Sequence, residues 1–68
     1  ITMLSKSSPN LHRNLLGNLL IKSAEIAAEE GYKDKFRIVI NNGVEAGQSV
    51  FHLHVHVLAG RQLDWPPG

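Results

Sequence analysis

The sequence predicts an α+β fold, with one long helix packed on an antiparallel sheet. Three patterns predict it. Apolar residues recur at steps of three and four from Leu11 to Ala27, the period of an amphipathic helix. Alternation with period two follows over residues 36–41 and again over residues 50–58, as in half-buried strands. Glycine, asparagine and proline punctuate the gaps between these stretches.

The helix is expected over residues 9–30. Ser8 is a good cap, and Pro9 takes the first helical position, where no amide hydrogen is needed. Leu11, Leu15, Leu16, Leu19, Leu20, Ala24 and Ala27 make a broad apolar face. Asn14, Asn18, Lys22, Glu25 and Glu29 form the wet stripe. Gly31 is a natural stop. Gly17 costs about 1 kcal/mol against alanine inside a helix, so it either admits another backbone closely or is simply tolerated.

The first strand is expected over residues 35–41, with Phe36, Ile38 and Ile40 on one face and Arg37, Val39 and Asn41 on the other. Asn42-Gly43 breaks it, and Gly47 marks a second bend. The second strand is expected over residues 50–58, followed by a tail at 59–68 in which Pro66-Pro67 forbid regular structure. Antiparallel pairing lets Phe36, Ile38 and Ile40 join Phe51, Leu53, Val55 and Val57 in covering the helix. Asn41 then shares a face with the histidines. Two strands and one helix are marginal alone, so further strands are expected from additional sequence or a partner chain.

Sixty-eight residues without cysteine is a small domain with no disulfide or thiolate–metal staple. A net charge of +1, with acids and bases interspersed, supplies no basic stripe for nucleic acid. No apolar run approaches the ~20 residues of a membrane span. Ile1 to Pro9 lack a charged start and apolar stretch, so no signal peptide is expected, and an opening on Ile1 suggests a fragment or processed product.

The chemistry lies in His52-Leu53-His54-Val55-His56. On an extended segment the three imidazoles fall on one side, roughly 6.5–7 Å apart, with Leu53, Val55 and Val57 on the other. A neutral imidazole is a nucleophile that splits a displacement at phosphorus into two easier steps. Gly47-Gln48-Ser49 suits the accompanying need for donors: close backbone approach, amide hydrogens, a side-chain amide and a hydroxyl. Asn41 adds another. Zinc is the weaker candidate. Three alternate strand positions span roughly 13 Å, and no carboxylate lies close in sequence to complete a ligand set. Alternating histidines that merely line a half-polar sheet face are the bland alternative.

From Arg37 through Gly68 the residues resemble the histidine-triad superfamily, specifically the Hint branch of histidine triad nucleotide-binding proteins. The signature His-φ-His-φ-His-φ-φ, with φ apolar, is complete over His52 to Leu58. The preceding Gly47-Gln48-Ser49, the Trp65-Pro66-Pro67-Gly68 ending and Leu15-Leu16-Gly17 extend the likeness over nearly the whole chain. The resemblance implies the C-terminal part of the histidine-triad fold, with the N-terminal half, its base pocket and its acidic ribose ligand lying outside these residues. It implies a purine nucleoside phosphoramidase, an adenosine 5′-monophosphoramidase-type hydrolase that cleaves the P–N bond of adenosine 5′-phosphoramidates or aminoacyl-adenylates through an adenylyl-histidine.

By the same resemblance His54 is the nucleophile, His56 contacts the phosphate and assists, and His52 orients His54 by hydrogen bonding. Ser49 helps protonate the departing nitrogen. Asn41, Gly47 and Gln48 hold the phosphate and ribose side. Trp65 reaches across a homodimer and shapes leaving-group selectivity. No cofactor and no metal are implied, and neither nucleic acid nor membrane is an expected partner. The expected location is cytoplasmic or nuclear, with an organelle left open. His12, in a different context on the helix, is expected at the surface, and Arg61 is expected to be structural or solvated.

Two other readings remain at this point. The chain alone is a catalytically silent interaction or dimerisation module, motivated by the absent base pocket and the surplus of apolar helix surface. Alternatively it belongs to the sister Fhit branch of diadenosine polyphosphate hydrolases, which Ser49 and the Trp65 ending disfavour.

Overall fold

A computed structural model describes residues 1–68. A short 3-10 turn at Leu4–Lys6 precedes helix α1, Pro9–Glu29. Strand β1, Phe36–Val39, a 3-10 turn at Val44–Ala46, and strand β2, His56–Ala59, follow in order. The strands form one antiparallel sheet, and α1 packs on it against β2.

Local chemistry explains both helix ends. The Ser8 hydroxyl accepts from the Leu11 amide at 3.4 Å, with Pro9 at the first position. His12 completes the cap: its Nδ1 accepts the Ser8 N–H at 2.8 Å. The expected surface histidine is therefore a half-buried capping group, because a ring one turn into a helix reaches back to an amide that the helix leaves free. At the other end Gly31 N–H donates to Ala28 O at 3.0 Å and Tyr32 N–H to Ala27 O at 2.8 Å. This is the Schellman pair, and it requires the left-handed φ of +91° at Gly31. Gly31→Val is expected to destabilise the fold by about 1–2 kcal/mol, the cost of a side chain in that region, read as a lowered thermal midpoint.

The register is Phe36↔Ala59, Arg37↔Leu58, Ile38↔Val57 and Val39↔His56. Directly opposed residues share a face, so Phe36 and Ile38 join Val57 and Ala59 on the side facing α1. His56 lies on the opposite side with Val39 and Arg37.

Both strands are shorter than expected. β1 ends at Val39, leaving Ile40 and Asn41 outside it, and β2 begins only at His56. A strand needs a ladder, and β1 offers no partner beyond Val39 for residues 50–55. Leu53 finds another acceptor, donating its N–H to Ile1 O at 2.8 Å. The alternation survives the missing ladder: Leu53, Val55 and Val57 are half-buried while His52, His54 and His56 are exposed.

The broad helix face is also only partly used. His12, Leu16, Leu19, Ser23 and Ala27 turn inward, whereas Leu11 is 78% exposed, Leu15 54% and Leu20 45%, and Ala24 is exposed too. A two-stranded ribbon, with strands about 4.8 Å apart, is narrower than a helix about 10–12 Å across. It covers one stripe and no more. Ser23 sits in that stripe by donating its hydroxyl to Leu19 O at 2.8 Å. Nothing lies within 4 Å of a Cβ placed at Gly17, so no backbone of this chain uses that gap.

Candidate functional site

The histidine row, His52 to His56, leads into β2 and stands on the face away from α1. The rings of His54 and His56 meet edge to face with centroids 4.9 Å apart, closer than the strand repeat, because the side chains lean together. His54 Nδ1 lies 2.7 Å from the main-chain oxygen of His52. A carbonyl oxygen only accepts, so the Nδ1 carries the proton and donates. In the neutral ring the lone pair then belongs to the other nitrogen, Nε2, and the ring is exposed. It is the main chain of His52 that makes this bond.

The turn upstream is shaped by glycine. Gly47 has φ of +93°, and a Cβ there would come within 3.9 Å of the Asn41 side chain. Asn41 and Gly47, six positions apart, are thus neighbours. Asn41 is half-buried and its amide has no partner within the chain.

Gln48 departs from the sequence expectation. It is 4% exposed, and both hydrogens of its Nε2 are engaged, one by Thr2 O at 2.6 Å and one by Val50 O at 3.1 Å. Its Oε1 accepts from Gly43 N–H at 2.8 Å. The main-chain amides of Gly47 and Gln48 are also taken, by Val44 O and Gly43 O, each at 3.0 Å. The donors expected from these two residues are spent inside the turn. Ser49 differs: it is exposed, and neither its amide nor its hydroxyl has a partner within the chain.

Trp65 stands 79% exposed on the tail, with the Arg37 guanidinium 5.9 Å from its ring centroid. No histidine ring packs against it. Arg61 donates locally to Gln62 O at 3.0 Å. Sequence reasoning missed two residues, His12 and Asn42. Asn42 Oδ1 accepts the Ser5 N–H at 2.7 Å and its Nδ2 donates to Ser5 Oγ at 3.2 Å, lacing the N-terminal segment to the loop. Thirty-seven positions separate the pair, and no local pattern announces such a contact.

The larger concavity is not at this site. A cleft of about 610 Å³ is lined by Tyr32, Asp34, Lys35, Arg37, Arg61 and neighbours, and contains no histidine. A second, of about 230 Å³, lies between the end of α1 and β2 around Ala27 and Val57. The chemistry-bearing side chains occupy an open face.

The family model for the HIT domain matches residues 3–63. This chain belongs to the HIT domain family. It is 56% identical over all of its 68 residues to a HIT-like protein of Synechocystis sp., of which it spans 59%. It is 48% identical to the adenylylsulfatase HINT1 of Arabidopsis thaliana over its whole length, 46% of that protein. It is 47% identical to a 14 kDa zinc-binding protein of Zea mays, spanning 52% of it. A HIT family hydrolase from Legionella pneumophila superposes over all of this chain and 61% of its own with a TM-score of 0.95 at 38% identity. The chain thus spans about half the length of the curated relatives it matches. The α+β arrangement is that of the HIT domain, and hydrolase chemistry is what its relatives' names carry.

The zinc in the maize relative's name does not fit these residues. No three histidine or acidic side chains of the HIT segment converge on one point, and His54 Nδ1 is committed to a carbonyl. A closed zinc site takes four ligands and an open one three. No helix of the chain is long and apolar enough to cross a membrane.

Proposed function

We propose that this chain carries the phosphate-chemistry half of a purine nucleoside phosphoramidase, with His54 as the nucleophile. The observation that carries the reading is the 2.7 Å bond from His54 Nδ1 to His52 O. It leaves Nε2 free to attack the α-phosphorus of an adenosine 5′-phosphoramidate. The Nε2–P bond forms, the P–N bond breaks, and the amine departs with a proton. Positive charge then grows on the ring, where the His52 carbonyl dipole already points at the Nδ1–H and stabilises it. Water attacks the adenylyl-histidine, releasing AMP and restoring the ring.

Around the phosphate, His56, Ser49 and Asn41 supply donors, and Gly47 lets substrate approach the backbone. Gln48 is left to shape the turn. Ser49, exposed and unpartnered, protonates the leaving nitrogen. Trp65 acts on leaving-group selectivity from the tail of a partner protomer in a homodimer, a pairing favoured by the exposed leucines of α1. Acid-quenching the protein during turnover and mapping the adduct by mass spectrometry tests the proposal. One adenylyl group on His54 is expected, and an adduct on another residue, or none, overturns it.

The name of the Arabidopsis relative supports a wider leaving-group range, with sulfate in place of an amine on the same adenylyl group. Sulfate leaves without a proton. Ser49→Ala is therefore expected to slow phosphoramidate cleavage by about 10²-fold, a general acid's usual contribution, while adenylylsulfate cleavage changes by less than about threefold. Parallel steady-state assays with the two substrates check this.

Only three residues are buried, Ser23, Ala27 and Gln48. That favours a second reading for these 68 residues taken alone, as a silent interaction or dimerisation module whose nucleoside contacts lie elsewhere. Saturable heat on calorimetric titration with AMP would count against it.

A further inference from the structure

We infer that Gln48 is a positioning residue for the histidine row, acting through the backbone on His54. The kinetic consequence rests on the phosphoramidase reading; the geometry stands without it.

The buried carboxamide joins three separate stretches: Gly43 N–H at Oε1, and Thr2 O and Val50 O at Nε2. Its orientation is unambiguous. Exchanged, the nitrogen would face another N–H and the oxygen two carbonyls. Gln48 N–H also donates to Gly43 O at 3.0 Å, so Gly43 and Gln48 are tied twice and close the turn between them. Beyond the turn there are two pins. Val50 is held by the carboxamide, and Leu53 is held by Ile1 O, whose neighbour Thr2 the carboxamide also grips. His52 lies between the pins, and its carbonyl is the acceptor that holds the His54 ring. Releasing one pin frees that carbonyl to move. The Nδ1–H then loses its fixed acceptor, and the ring divides its proton between two nitrogens. The population with an available, correctly aimed Nε2 falls. A buried amide with every donor satisfied suits such a task, because a partly satisfied one would be costly.

The test uses Gln48→Glu in the intact protein, which sets oxygen against the Thr2 and Val50 carbonyls. It reads the ¹⁵N signals of the His54 imidazole together with kcat and KM for an adenosine phosphoramidate. A single Nδ1–H pattern is expected in the parent and an averaged pattern in the variant. With it kcat falls about 10- to 100-fold, as small misplacements do, and KM stays within about threefold. Gln48→Met, which keeps the volume and removes all three bonds, takes its place if the glutamate variant does not fold. A variant that retains the parent's ¹⁵N pattern overturns the inference. An altered pattern with unchanged kcat upholds the positioning role and counts instead against His54 as nucleophile.

Discussion

His54→Ala is expected to reduce phosphoramidate turnover by about 10⁴-fold or more, the scale on which removal of a nucleophile acts. The ring is exposed and covers no part of the helix, so the thermal midpoint should hardly change, as for most surface substitutions. Loss of activity at unchanged stability is what separates chemistry from folding. His54→Asn refines the experiment. Its side-chain amide still has a hydrogen to donate toward the His52 carbonyl but offers no basic ring nitrogen, so it should be as inactive as alanine. Steady-state assays and thermal melts on the three proteins check both statements. Turnover within tenfold of the parent in either variant would assign the attack to another group.

Ala27→Asp is expected to have the largest effect on stability. Ala27 is 3% exposed and lies where the last turns of α1 meet Val57 and Ala59 of β2. Its carbonyl also accepts the Tyr32 N–H that ends the helix. The residues around it, Ile26, Glu30, Tyr32, Val57 and Ala59, offer a carboxylate no cation to pair with. An uncompensated buried charge costs about 3–5 kcal/mol, against a total of roughly 5–15 kcal/mol for ordinary domains. The variant should melt some tens of degrees lower or fail to fold, by circular dichroism. Ala27→Ser, small and able to bond back to the helix as Ser23 does, should lose little.

Much of the architecture was legible in order along the chain. Ser8-Pro9 and Gly31 mark helix ends because capping is local chemistry, settled within one turn. The alternation over Phe36–Val39 and Leu53–Val57 was legible because a strand's two faces are a property of the backbone repeat. Strand length was not. Residues 50–55 carry the alternating pattern but lack a ladder, and whether a ladder exists depends on where β1 ends. The helix face was overread for a related reason: apolar content says what a surface prefers, while the width of the sheet decides how much is covered.

At the candidate site the division is sharper. The residue types and their spacing, three histidines behind a glycine turn with a serine, pointed to phosphorus chemistry. The Gly47-Gln48-Ser49 motif and the family resemblance assigned Gln48 as a ligand donor, yet its amide is consumed by Thr2, Val50 and Gly43. A hydrogen-bond donor serves whichever acceptor folding brings to it, and Thr2 is 46 positions away. The same holds for His12, whose ring caps the helix, and for Asn42, which ties down Ser5.

The amino-acid order by itself determined the alternating exposure of His52, His54 and His56 and the places where the helix begins and ends, since these follow from short-range stereochemistry. Only the tertiary structure decided which donors near Ser49 remain free, and how little of the helix one narrow sheet covers. Those depend on distances between segments far apart in the chain, which no local pattern encodes.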